Sequence, residues 1–162
     1  MPKININAKM IGIEEPIEVF TSIYNHDLAS KMSIKMKETN IKNLKYNLEL
    51  AKQQELAEKS DKEDSQEELS ELEELKIQLK NAQKSLEAEK EDQDFTDTAF
   101  EFIKEVLGLN AKQLKTARKS LDGEGLGAFT YYLISRVNEG PDYDPQIILD
   151  AEVDEDEDPK KG

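Results

Sequence analysis

Ile4, Ile6, Ala8 and Met10 alternate with Lys3, Asn5, Asn7 and Lys9, the two-residue period of a strand with one buried face. Gly12 and then Glu14, Glu15 and Pro16 interrupt the run. Ile17, Val19, Thr21 and Ile23 next alternate with Glu18, Phe20 and Ser22, so the pattern predicts two strands around a turn. An isolated hairpin is marginal in water, and its apolar face needs a cover, either a helix of this chain or a second subunit.

From Leu28 the period lengthens. Leu28, Met32 and Met36, then Ile41, Leu44, Leu48 and Ala51, fall at helical spacing, and Asn40 can cap a second helix or break one long one. Between Glu55 and Glu74 only Leu56, Ala57, Leu69 and Leu72 are apolar, while acids crowd in. Like charges at that density favour an extended chain, so residues 56–66 read as a linker. Leu72, Leu75, Leu79, Ala82 and Leu86 then follow a 3-4-3-4 spacing, the apolar seam of a short coiled coil. Fewer than three heptads fit. The seam suits a solvated helix that packs one narrow stripe on its neighbour, or self-association.

Residues 94–140 carry the strongest globular pattern. Asp94 or Thr96 can cap a helix whose apolar face is Phe95, Ala99, Phe102, Ile103, Val106 and Leu107; Gly108 supplies a left-handed stop, with Leu109 folding back on the helix end. Asn110 with Gln113 forms a capping-box start for a second helix with Ala111, Leu114, Ala117 and Leu121 inside. A turn at 122–125 leads to a third helix carrying Leu126, Phe129, Leu133, Ile134 and Val137, ended by Gly140 and Pro141. Beyond Pro141, Tyr143, Ile147, Ile148 and Leu149 can still dock, but acids fill seven of the nine positions from Asp150 to Asp158, which reads as a disordered tail. The expected class is mainly α. An N-terminal hairpin with helices (1–55) leads to an acidic linker and short coiled-coil-like helix (56–93), a three-helix bundle (94–140) and an acidic disordered tail (141–162).

Charge sharpens this picture. Residues 1–54 hold 8 Lys and 6 Asp/Glu, whereas 55–162 hold 14 Lys/Arg and 30 Asp/Glu, within a net charge of −14 over 162 residues. Such a surface repels phosphate backbones and anionic lipid, which argues against nucleic-acid and membrane partners. No run approaches the roughly 20 apolar residues of a membrane helix, the first residues lack the apolar core of a signal peptide, and Cys is absent, so the cytosol is the expected compartment. One segment opposes the overall sign. Lys112, Lys115, Arg118 and Lys119 lie on the second bundle helix, in a stretch without acids, as an exposed face or a docking face for an acidic segment, the chain's own tail included.

Chemistry is sparse. His26 beside Asp27 has no second His and no Cys to complete a site, and reads as a surface or turn histidine. Gly123, Gly125 and Gly127 follow a helix and lack the Lys-Ser/Thr signature of a phosphate loop. Asp150 to Asp158 lacks the Gly and terminal Glu of a calcium loop. No catalytic constellation, metal site or cofactor site can be assembled, so a non-enzymatic protein is expected.

The opening KININAKMIGIEEPIEVF, an acidic middle, FTDTAFEFIKEVLGLNAKQL and a Gly-broken closing helix together resemble small tail assembly chaperones of long-tailed, siphovirus-type phages of Gram-positive bacteria. The likeness covers residues 1–24 and 95–138. It implies a protein of the host cytoplasm, absent from the finished virion, that binds the long helical tape measure protein and keeps it soluble while tail-tube subunits are recruited. It further implies a longer frameshifted product, for which the codons of Lys160 and Lys161 are a candidate slippery run. A chaperone for such a client needs apolar grooves and a charged exterior. Phe95, Phe102, Leu107, Phe129 and Leu133 are the expected grip, with Lys112, Lys115, Arg118 and Lys119 as a second contact face and homo-oligomerisation as an option. The competing reading is an acidic mimic that inhibits a nucleic-acid-binding protein, resting on the acid density at 58–74 and 150–158.

Overall fold

The computed structural model describes residues 2–62 and 71–157. Strand β1 (Lys3–Ile6) pairs antiparallel with β2 (Ile17–Phe20), with Ile4 opposite Val19 and Ile6 opposite Ile17. The chain is otherwise mainly helical: α1 (Ile23–Lys62), α2 (Glu71–Leu107), α3 (Ala111–Ser120), α4 (Gly123–Val137) and α5 (Gln146–Glu157). None of these helices is long and apolar enough to cross a membrane.

The hairpin is shorter than the alternation suggests. Ala8 and Met10 leave the strand because Lys9–Ile11 closes a 3-10 turn, ended by Gly12 in the left-handed region (φ 82°), where a Cβ would stand 2.8 Å from Thr116 Cγ2. Thr21 still reaches Pro2 through its amide, but Ser22 accepts the Asn25 amide and starts α1 at Ile23. No break follows at Asn40, and α1 continues across 56–62, the first part of the expected linker; residues 63–66 lie outside the described residues. Within 56–62 the acids Glu58 and Asp61 are balanced by Lys59 and Lys62, so like-charge repulsion is small there, and Leu56, Ala57, Glu58 and Lys59 are good helix formers.

Likewise no helix starts at Asp94 or Thr96, since α2 runs uninterrupted from Glu71. Gly108 (φ 64°) stops it, and the Leu109 amide returns to the Lys104 carbonyl at 3.1 Å, the Schellman closure the sequence suggests. The Asn110–Gln113 capping box opens α3. Asp122 caps α4 by accepting the Gly125 amide at 2.7 Å, so Gly123 and Glu124 belong to the helix and not to a turn. The chain leaves α4 through Glu139, which takes the left-handed conformation (φ 64°) one residue before Gly140.

Two compact units result: Met1–Lys35 with Thr96–Gly162, and Met36–Phe95. Composition divides the chain differently because local charge reports neither continuous helices nor contacts between distant segments. The first unit holds the core. Ile6, Ile11, Val19, Ala29, Phe102, Ile103, Phe129, Tyr132, Leu133 and Val137 are buried in it. The cover over the hairpin is this chain's own α4, whose Tyr132 accepts the Asn7 amide and whose Arg136 donates to the Asn5 carbonyl at 3.0 Å. Tyr143 docks edge-on against Tyr132, and Pro145 is buried before α5 packs on α4. Side chains beyond Ala151 and residues 158–162 lie outside what is described.

In the second unit the two helical stretches run antiparallel, joined by polar contacts. Lys42 meets Glu91 at 3.1 Å, Thr39 reaches the same carboxylate at 3.4 Å, and Lys84 pairs with Glu49. The Lys84 ammonium holds the Glu49 carboxyl below its usual range. The leucine seam of α2 takes no part in this pairing. Leu72, Leu75, Leu79 and Leu86 remain 50–62% exposed, against the expectation that the stripe packs on its neighbour.

Candidate partner-binding site

Of the apolar residues expected to grip a partner, Phe102, Leu107, Phe129 and Leu133 are buried and Phe95 is half-buried. Phe129 and Leu133 have no exposed surface at all. They hold the fold together and present no groove by themselves. The physical reason is that α4 is apolar nearly all round, so its large side chains are enclosed between the hairpin and the neighbouring helices.

One open surface lies where the start of α1 passes the end of α2 within the first unit. A groove of about 460 Å³ runs there: half-buried Leu28 supplies its open apolar surface, Met32 and Phe102 lie buried beneath it, and Lys31, Asp97, Thr98, Glu101 and Glu105 flank it. Only Phe102 of the expected set lines it. At one end the Tyr24 hydroxyl donates to Glu105 Oε2 at 3.2 Å; this hydrogen bond to the carboxylate raises the Tyr24 pKa above its ordinary value. Beyond that pair a second depression begins, edged by Phe20, Tyr24, Val106, Leu107 and Gly108. Phe20 is about half exposed, with Lys3 Nζ over its ring at 5.0 Å, Tyr24 is more open, and Ile23 is 89% exposed. Isolated exposed apolar residues are ordinary, but three within five positions beside an apolar groove mark a contact surface.

Why this surface escapes the sequence pattern is plain. Phe20 sits on the polar phase of the strand alternation, and Ile23 belongs to a helix rather than to β2. The signal available was Phe20 itself, a large apolar residue on the face that alternation assigns to water.

The basic residues of α3 are not equivalent. The Arg118 guanidinium lies over the Phe100 ring at 4.6 Å and meets Asp97 Oδ1 at 3.4 Å, so it is engaged within the fold. Lys112, Lys115 and Lys119 are exposed. Lys119 shares a shallow pocket with Met10, Leu121, Gln146 and Leu149, which brings the start of α5 to the end of α3. His26 pairs with Asn138 through Nδ1 at 3.0 Å, while Asp27 turns to Lys31 at 2.8 Å, so the two do not act together. Among the described residues no group of three or more His, Cys, Asp or Glu is placed to hold a metal ion.

Comparison with protein-family models, curated proteins and solved structures finds no match for this chain.

Proposed function

We propose that this chain is a non-enzymatic assembly chaperone whose α1–α2 groove takes the apolar stripe of a helical client, and that the client is the tape measure protein of a long-tailed phage. The observation that carries the reading is the cluster of exposed apolar side chains Phe20, Ile23 and Tyr24 beside a groove whose open apolar surface comes from Leu28 and whose edges are Lys and acid. An amphipathic helix laid there covers apolar surface with apolar surface and meets charges along both edges.

The charge of the chain fits the same task. A net charge of −14 keeps a complex with an aggregation-prone polypeptide in solution during assembly in the host cytoplasm. Recruitment of tail-tube subunits then requires a second face, and the exposed lysines of α3 are its candidate.

The test is co-expression of a tape measure protein with and without this chain. The reading expects the client to move from the insoluble to the soluble fraction and to co-purify with the chain. A client equally insoluble in both cases contradicts it.

A further inference from the structure

The exposed seam of α2 in the second unit lies on the side opposite the pairing with α1. At 100° per residue, Lys84, Ala88 and Glu91, which face α1, fall about half a turn from Leu72, Leu75, Leu79, Ala82 and Leu86. The seam is therefore free while the intramolecular pairing is intact. We propose that it is the interface of a homodimer, in which α2 of two copies forms a short parallel coiled coil.

Spacing assigns Leu72, Leu79 and Leu86 to the a positions and Leu75 and Ala82 to the d positions of the heptad. The flanking e positions are then Lys76, Gln83 and Lys90, and the g positions Glu71, Gln78 and Ser85. In a parallel pair each g residue faces the e residue five positions on in the other copy. Glu71 meets Lys76, Gln78 meets Gln83 and Ser85 meets Lys90, so one ion pair forms twice by symmetry and no like charges meet.

The antiparallel alternatives are worse. Pairing Leu75 with Leu86 and Leu79 with Ala82 sets Leu72 against Glu89 and Glu71 against Asp92. Sliding the register to bring Leu72 opposite Ala82 sets Lys76 against Lys76 of the other copy and leaves Leu86 without a layer. The outer stripe of α1, Ile41, Leu44 and Leu48, carries no comparable code. Its flanks there are Lys45 and Lys52 on one side and Asn40, Asn47 and Gln54 on the other, which offers a second copy no ion pair. Charge complementarity thus selects α2, in parallel, as the self-associating helix. Because the seam spans fewer than three heptads, the dimer is weak and depends on concentration.

Sedimentation equilibrium of the full chain over roughly 5 to 500 µM is the experiment. The expected result is a mass that rises from monomer to dimer. Leu79→Lys, at an exposed position, should keep the helical circular dichroism and remove the dimer. Glu71→Lys and Lys76→Glu should each weaken it by about tenfold, since each places like charges at two symmetric contacts, and the double exchange should restore it. A chain monomeric throughout overturns the proposal, including the case in which the seam serves a client helix instead. Dimerisation that survives Leu79→Lys, a trimer, or a Glu71→Lys variant that associates more tightly also overturns it, the last by indicating an antiparallel pair. Failure here leaves the groove reading standing, because that groove lies in the other unit and Leu79→Lys should bind client as the parent does.

Discussion

The Asn7 amide donates to the hydroxyl of Tyr132 at 2.9 Å, across 125 residues of chain. The same hydroxyl donates to Asp142 Oδ1 at 2.8 Å, so one buried phenol ties the hairpin, α4 and the segment leading to α5 together. Tyr132→Phe leaves the Asn7 amide and the Asp142 carboxylate without that partner. A loss of about 1–3 kcal/mol in urea unfolding at neutral pH is expected.

Tyr132 also predicts how stability responds to alkali. Burial pushes its pKa up to about 12, with the Asp142 carboxylate adding to the effect, against about 10 in an unfolded chain. The folded state then holds the phenolic proton over a range where the unfolded state releases it. The contribution is complete below pH 10 and is lost as pH rises towards 12. The urea midpoint of the parent chain should fall over that window, and that of Tyr132→Phe should fall less.

The two left-handed glycines should differ in cost. Gly108 has open space where a Cβ would go, so Gly108→Ala pays only for the backbone conformation, roughly 1–2 kcal/mol. Gly12 has the same backbone demand and Thr116 Cγ2 at 2.8 Å from the added atom. Thermal melts should rank Gly12→Ala clearly below Gly108→Ala. Equal shifts would mean that the 3-10 turn can move away from α3.

Arg118 and Lys115 stand three residues apart on α3, yet only Arg118 stacks on an aromatic ring. Arg118→Ala should lower stability by about 1 kcal/mol through the lost Phe100 stack, and Lys115→Ala should stay within about 0.5 kcal/mol of the parent. If the exposed lysines receive an acidic segment, Lys115→Ala should instead alter partner binding, and more at low salt than at high salt.

What could be read from sequence follows from how local each determinant is. Gly108 with Leu109, and Asn110 with Gln113, fix helix ends through contacts within five residues, and spacing alone located them. The hairpin and the helical class were legible for the same reason. The linker was not, because the acid excess that suggests it lies mainly beyond residue 62, while 56–62 itself is charge-balanced and continues α1. Helical periodicity identifies an apolar face without saying what covers it. Phe129 and Leu133 share that signal with Leu75 and Leu79, yet the first pair is enclosed in the core and the second faces water. Local pattern does not single out Tyr132 and Arg136, because their partners, Asn7 and Asn5, lie far away in sequence.

The measurement closest to the central claim is calorimetric titration of the full chain with amphipathic helical segments of a tape measure protein, beside a Phe20→Ser/Ile23→Ser variant. Ile23 is 89% exposed, while Phe20 is about half exposed with Lys3 Nζ over its ring at 5.0 Å, so the variant should keep the parent's helical circular dichroism and lose about 1 kcal/mol in stability. The account predicts saturable binding by the parent and a loss of about tenfold or more in the variant, the effect of removing two apolar anchors from one contact surface. Equal affinity for parent and variant, or no binding by a correctly folded parent, would contradict it.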